Sequence, residues 1–137
     1  MPAQARTDHL NAVPGCIYTD PEIASVGITE DEAKTQGIPV KKGKYLMTGN
    51  GRSIIDEQER GFIKVIAHAE TDVILGAQLM CARATDIVSE LSTAIVNGLT
   101  CAQLASVIRP HPTFCEGVTE AVEDVHGMAI HMAPKKR

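Results

Sequence analysis

The run GFIKVIAHAETDVILGAQLMCA, Gly61 to Ala82, places two alternating segments on either side of one turn. Ile63, Val65, Ala67 and Ala69 share one face of an extended chain, while Phe62, Lys64, Ile66 and His68 share the other. A period of two marks a β-strand, because successive side chains point to opposite sides of the pleat. Glu70-Thr71-Asp72 supplies turn residues, and Val73 to Met80 runs back as a second strand. The spacing predicts an antiparallel hairpin. His68 falls on its outward face, as a strand residue and not a ligand.

Downstream the period lengthens. Ala84, Ile87, Val88, Leu91, Ala94 and Ile95 recur at three and four, the stripe of an amphipathic helix that Asn97-Gly98 ends. Thr100 with Gln103 has the form of a capping box over a short helix, and Thr113 with Glu116 repeats it. This last box opens a helix with Val118, Ala121, Val122 and Val125 on one face and Gly127 near its end. Upstream, Val13 to Tyr18 reads as a short strand and Ile23 to Val26 as a second extended piece. A capping box of Thr29 and Glu32 then starts a helix that Gly37 and Pro39 stop, Val40 to Thr48 reads as a strand, and GNGRS reads as a turn. Strands first and helices last predict an α+β fold: an antiparallel β-sheet with helices packed on it.

The 137 residues amount to one domain, and a 44% hydrophobic content with only 3% aromatics means a core of Ile, Val, Leu, Ala and Met. Residues 1–12 show no clear period and read as a disordered lead-in or the cut edge of something longer. Residues 13–131 form the domain, and 132–137 a tail whose Lys135-Lys136-Arg137 is a solvated charge run. A net charge of -4 argues against a nucleic-acid partner. No apolar run approaches the ~18 residues of a membrane span, and the N-terminus lacks a signal-peptide core. The expectation is a cytoplasmic protein with no membrane partner. Its four scattered cysteines, Cys16, Cys81, Cys101 and Cys115, are then reduced thiols.

No G-x-G-x-x-G follows a strand, and neither a phosphate-binding loop nor a metal-ligand cluster is present. The chain on its own therefore reads as binding no cofactor and no metal. What remains is His111 between Pro110 and Pro112, with Glu116 five residues on. One reading is a rigid lead-in to a capped helix. The other is an acid/base dyad, in which the carboxylate holds one ring nitrogen protonated and leaves the other free to accept a proton. The two are compatible, because a carboxylate has two oxygens.

YTDPEIASVGITEDEAK at Tyr18–Lys34, GFIKVIA at Gly61–Ala67, ILGAQLM at Ile74–Met80 and HPTFCEGVTEA at His111–Ala121 resemble the C-terminal interface domain of the dihydrolipoamide dehydrogenases, in the pyridine nucleotide-disulfide oxidoreductase family. The motifs keep the family's order from about Val13 to about Val125. The resemblance implies the last domain of a longer chain, a dimerisation domain that follows FAD- and NAD-binding domains. In such enzymes dihydrolipoamide reduces a disulfide beside the flavin, and electrons pass through FAD to NAD.

The resemblance also implies roles. The residue matching His111 takes the thiol proton at the partner subunit's site, and the one matching Glu116 orients it. The backbone of His111 and Pro112 lies near the partner's flavin, across a cis His111–Pro112 bond. A homodimer follows, with lipoyl domains of 2-oxo acid dehydrogenase complexes as partners of the complete enzyme and a piece that is inactive alone. Two residues depart from the family: Cys115 stands where serine is common and Gly117 where alanine is. Glycine there should loosen the helix by up to ~1 kcal/mol. Alternatives are the interface domain of a glutathione or mercuric reductase-like enzyme, or a free-standing self-association module.

Overall fold

The computed structural model describes residues 9–132. Lys135-Lys136-Arg137 and residues 1–8 of the lead-in lie outside the described residues. The chain orders as β1 (Gly15–Ile17), β2 (Glu22–Gly27), α1 (Glu30–Thr35), β3 (Val40–Leu46), α2 (Gly51–Ile55), β4 (Phe62–His68), β5 (Ile74–Cys81), α3 (Ala84–Val96), α4 (Cys101–Ala105) and α5 (Glu116–Asp124). The five strands form one antiparallel sheet in the order β1-β2-β5-β4-β3. The fold is α+β, as the patterning predicts.

The Gly61–Ala82 hairpin is the centre of that sheet. Ile63 pairs with Leu79 and Val65 with Ala77, and all four are buried. Ile66 departs from the two-face expectation: it belongs to the face of Phe62 and Lys64, yet it is fully buried. Ile66 and the buried Ala33 of α1 both stand outside the main core cluster, so the sheet's second face is not purely polar. Ala69 falls in the turn and is exposed. His68 does face outward, and its Nδ1 accepts the backbone N–H groups of Glu70 and Thr71, which helps close the turn.

The core lies between the sheet and two helices. α3 packs on β2 and β5 through Ala84, Ile87, Val88, Leu91 and Ala94, the stripe that the spacing predicts. α5 packs on β3 and β4 through Val118, Ala121 and Val122. Gly43 lets α5 approach β3 closely, because a Cβ there would stand 2.0 Å from the carbonyl oxygen of Ala121. Asp124 secures the contact by accepting the backbone N–H of Lys44 at 2.8 Å. The capping boxes of α1 and α4 are complete.

Three local expectations change. GNGRS is a helix start and not a simple turn: Asn50 caps α2 by accepting from the Ser53 N–H. The first strand shortens to Gly15–Ile17. Ahead of it, Leu10–Ala12 form a 3-10 turn that places Ala12 in the core.

Candidate active site

The loop between α4 and α5 carries His111, and its His111–Pro112 peptide is cis. The imidazole Nδ1 lies 2.9 Å and 3.2 Å from the two carboxylate oxygens of Glu116. A carboxylate can only accept, so Nδ1 donates to Glu116, and in the neutral ring this leaves the lone pair on Nε2. With the side chain 76% exposed, that lone pair is open to a group arriving from outside. Glu116 also accepts the backbone N–H of Thr113 at 2.9 Å, so one carboxylate serves both the helix entrance and the histidine. Burial works to raise the Glu116 carboxyl. The Thr113 N–H, the His111 ring and the charges of His111 and His131 outweigh it and hold the group below its ordinary range.

The predicted capping box is only half made. α5 begins at Glu116 itself, and Cys115 before it already has helical backbone angles. Thr113 therefore stands too far back to cap the helix, and its hydroxyl donates to the carbonyl of Pro110. The downstream end of the loop is held instead by buried Asn50, whose side-chain amide donates to the carbonyl of Thr113 at 3.0 Å.

One helical turn along α5 lies a second pair that the motif search does not single out. Glu120 is 8% exposed and accepts from the backbone N–H groups of Ile130 and His131 and from His131 Nδ1, the last at 2.6 Å. Glu120's hydrogen bond and charge hold the His131 imidazole above its ordinary pKa. Both pairs line one cleft of about 430 Å³, with buried Tyr45 at its wall. Burial first, then the charges of Glu120 and Glu116, pushes the Tyr45 hydroxyl up to about 12, so it remains protonated. The sequence signal for the second pair was the Glu116/Glu120 spacing of four, which places both on one helix face.

All four cysteines are free thiols. Cys81 and Cys101 are buried and pushed up to about 12, chiefly by burial. Cys115 is half-buried and raised by burial, then by the charge of Glu90. Among the described residues no group of three His, Cys, Asp or Glu side chains could hold a metal ion, and no helix is long and apolar enough to cross a membrane.

Residues 13–122 match the family model for the pyridine nucleotide-disulphide oxidoreductase dimerisation domain. The chain belongs to this family. Its relatives include the dihydrolipoyl dehydrogenases of Thermus scotoductus, 42% identical over 88% of this chain and 26% of that protein, and Bacillus subtilis, 43% identical over 87% and 25%. The dimerisation domain thus spans about a quarter of the length of the curated relatives it matches. Among solved structures, the flavoprotein disulfide reductase RclA of Escherichia coli superposes with a TM-score of 0.81 at 25% identity, covering 85% of this chain and 27% of that one. LpdA of Mycobacterium tuberculosis shares the fold, with a TM-score of 0.79 at 24% identity over 83% of this chain and 25% of that one.

Gly117 stands in the first turn of α5, against two core side chains of this dimerisation domain. A Cβ at that position would sit 3.0 Å from Ile63 Cδ1 and 3.0 Å from Met47 Sδ, so a larger residue there requires those side-chain ends to give way by a few tenths of an ångström.

Proposed function

We propose that this chain is the C-terminal interface domain of a dihydrolipoamide dehydrogenase, and that His111 is the acid/base for a thiol at the partner subunit's disulfide. The observation that carries this reading is the oriented imidazole, with Nδ1 bound to Glu116 and Nε2 free in an exposed ring. Nε2 takes the proton of a dihydrolipoamide thiol, and the thiolate attacks one sulfur of the disulfide and releases the other as a thiolate. The imidazolium passes that proton to the released thiolate. Nε2 then takes the proton of the second substrate thiol, and this second thiolate attacks the substrate sulfur of the mixed disulfide. That closes the lipoamide disulfide and releases the other enzyme sulfur to take up the second proton, leaving the enzyme as a dithiol. Glu116 balances the imidazolium that forms.

FAD and NAD belong, on this reading, to the rest of a longer enzyme. The cleft beside His111 is lined by the carboxylates of Glu116 and Glu120, a poor seat for a pyrophosphate. His111 and Pro112 instead offer the partner's flavin a backbone edge. When bound in that longer enzyme, FAD would supply the two-electron chemistry that links the dithiol to NAD. A homodimer is supported by the family and by exposed Ile108, Ile130 and Ile55, apolar groups that a partner would cover. Lipoyl domains are the partners of the complete enzyme, and the compartment is the cytoplasm.

The test is subunit mixing in the complete enzyme. Dimers of His111→Gln subunits with subunits lacking the redox cysteines carry one lesion in each site if the base works across the interface, and they are expected to be nearly inactive. About half of the native activity in such dimers would place His111 at its own subunit's disulfide and overturn the assignment.

A further inference from the structure

His111 is exposed, yet its ring must stay aimed at Glu116. Among the described residues no backbone–backbone hydrogen bond involves residues 108–113, so the loop's own main chain does not fix it. Side chains do. Asn50 holds the downstream end at Thr113. At the upstream end stands Arg109, two residues before His111, with its side chain only 5% exposed beside an Ile108 that is 97% exposed.

The Arg109 guanidinium reaches three helices. Its NH2 group pairs with Glu90 of α3. Its NH1 group donates to Thr119 Oγ1 of α5 at 2.6 Å and to the carbonyls of Val107 and Leu104 at the end of α4, at 3.2 Å and 3.5 Å. Thr119 lies three residues after Glu116, a spacing that puts the two on neighbouring positions of the helix surface. One rigid element thus carries both the carboxylate that holds the ring and the hydroxyl that holds the root of the loop.

We propose that Arg109 is the positioning residue of the His111–Glu116 pair, clamping the loop that carries His111 to α3, α4 and α5. Its functional meaning rests on the acid/base reading of His111. The planar fork of an arginine suits this task, because several donors in fixed directions join several acceptors. A lysine ammonium at the end of a flexible stem neutralises Glu90 without fixing the other two ties.

Tautomer-sensitive 1H–15N spectra of the histidine rings in this chain, at a pH where imidazoles are neutral, test the clamp directly. The native chain should show His111 as a single tautomer with Nδ1 protonated. Arg109→Lys and Thr119→Val should each give a mixture of His111 tautomers, while His131, held by Glu120, stays unchanged as an internal control. Thr119→Val removes one hydroxyl and no charge, so it decides the matter if Arg109→Lys does not fold. A folded variant that keeps the native His111 pattern overturns the proposal, and so does a mixed pattern in the native chain. The same variants in the complete enzyme are expected to lower kcat about tenfold with little change in KM. Scrambled tautomers with undiminished kcat would leave the clamp standing and remove the acid/base reading instead.

Discussion

Glu120 stands one helical turn beyond Glu116 on α5, and the two carboxylates hold two histidines into one cleft, His131 at 2.6 Å and His111 at 2.9 Å. The pairs differ in what the carboxylate does besides. Glu116 is tied to the helix entrance through Thr113, whereas Glu120 is a buried anchor for the chain that follows α5, bonding Ile130 and His131 through their backbone. One helix face therefore fixes both the loop before it and the segment after it.

In the complete enzyme, His111→Gln is expected to cut dihydrolipoamide turnover by about 10²–10⁴-fold, the usual worth of a positioned acid/base, while leaving FAD bound. Glu116→Gln should cost less, because its single amide oxygen still accepts one of the two hydrogen bonds, from His111 or from Thr113, but balances no imidazolium. Steady-state kinetics alongside thermal melts separate the two effects. An unimpaired His111→Gln enzyme would end the acid/base assignment.

His131 has a raised folded-state pKa, so its pairing with Glu120 stabilises the fold fully below the ordinary histidine range, about pH 6.5, and less as pH climbs through the raised value. The ring is largely exposed, which limits the contribution to a few tenths of a kcal/mol up to about 1 kcal/mol. Urea unfolding of His131→Gln should therefore differ from the native chain most near about pH 6 and converge with it towards about pH 9. Glu116 runs in the opposite sense. Its lowered carboxyl contributes above the ordinary glutamate range, and the contribution fades as pH falls through the lowered value.

Gly43→Ala should destabilise the chain by about 1–3 kcal/mol, since the new methyl would stand 2.0 Å from the Ala121 carbonyl oxygen and 2.6 Å from the Val125 nitrogen. Those are backbone atoms, so α5 must shift as a body. Equilibrium urea titration reads the loss, and a variant as stable as the native chain would show that α5 does not pack on β3 at this distance.

Cys81 and Cys101 should resist thiol reagents until the chain unfolds, because burial holds both protonated far above neutral pH and out of reach. Labelling with iodoacetamide followed by mass spectrometry should find both unmodified in the folded chain and modified in denaturant. Rapid native labelling at either site would contradict the packing of β5 or α4.

The amino-acid sequence determined what depends on near neighbours. The two-residue period of the central hairpin, the helical stripe of α3, the capping boxes of α1 and α4 and the five-residue step from His111 to Glu116 all join residues within a turn or two of one another. Within a regular strand or helix, backbone geometry fixes which side chains meet over such distances, and at the His111 loop the sequence places the two partners within reach of each other. Tertiary structure decided the rest. The burial of Ile66, the seat of α5 on Gly43, the Lys44–Asp124 bond across 80 residues, the Arg109–Glu90 pair and the Glu120–His131 pair all depend on which faces come together. The half-made capping box at Thr113 shows the same limit at short range. There the path of the loop, held by Arg109 and Asn50, sets where the helix begins. A hydrogen bond or a close contact between elements is a property of their packing, and a period in the sequence records only that a face is apolar.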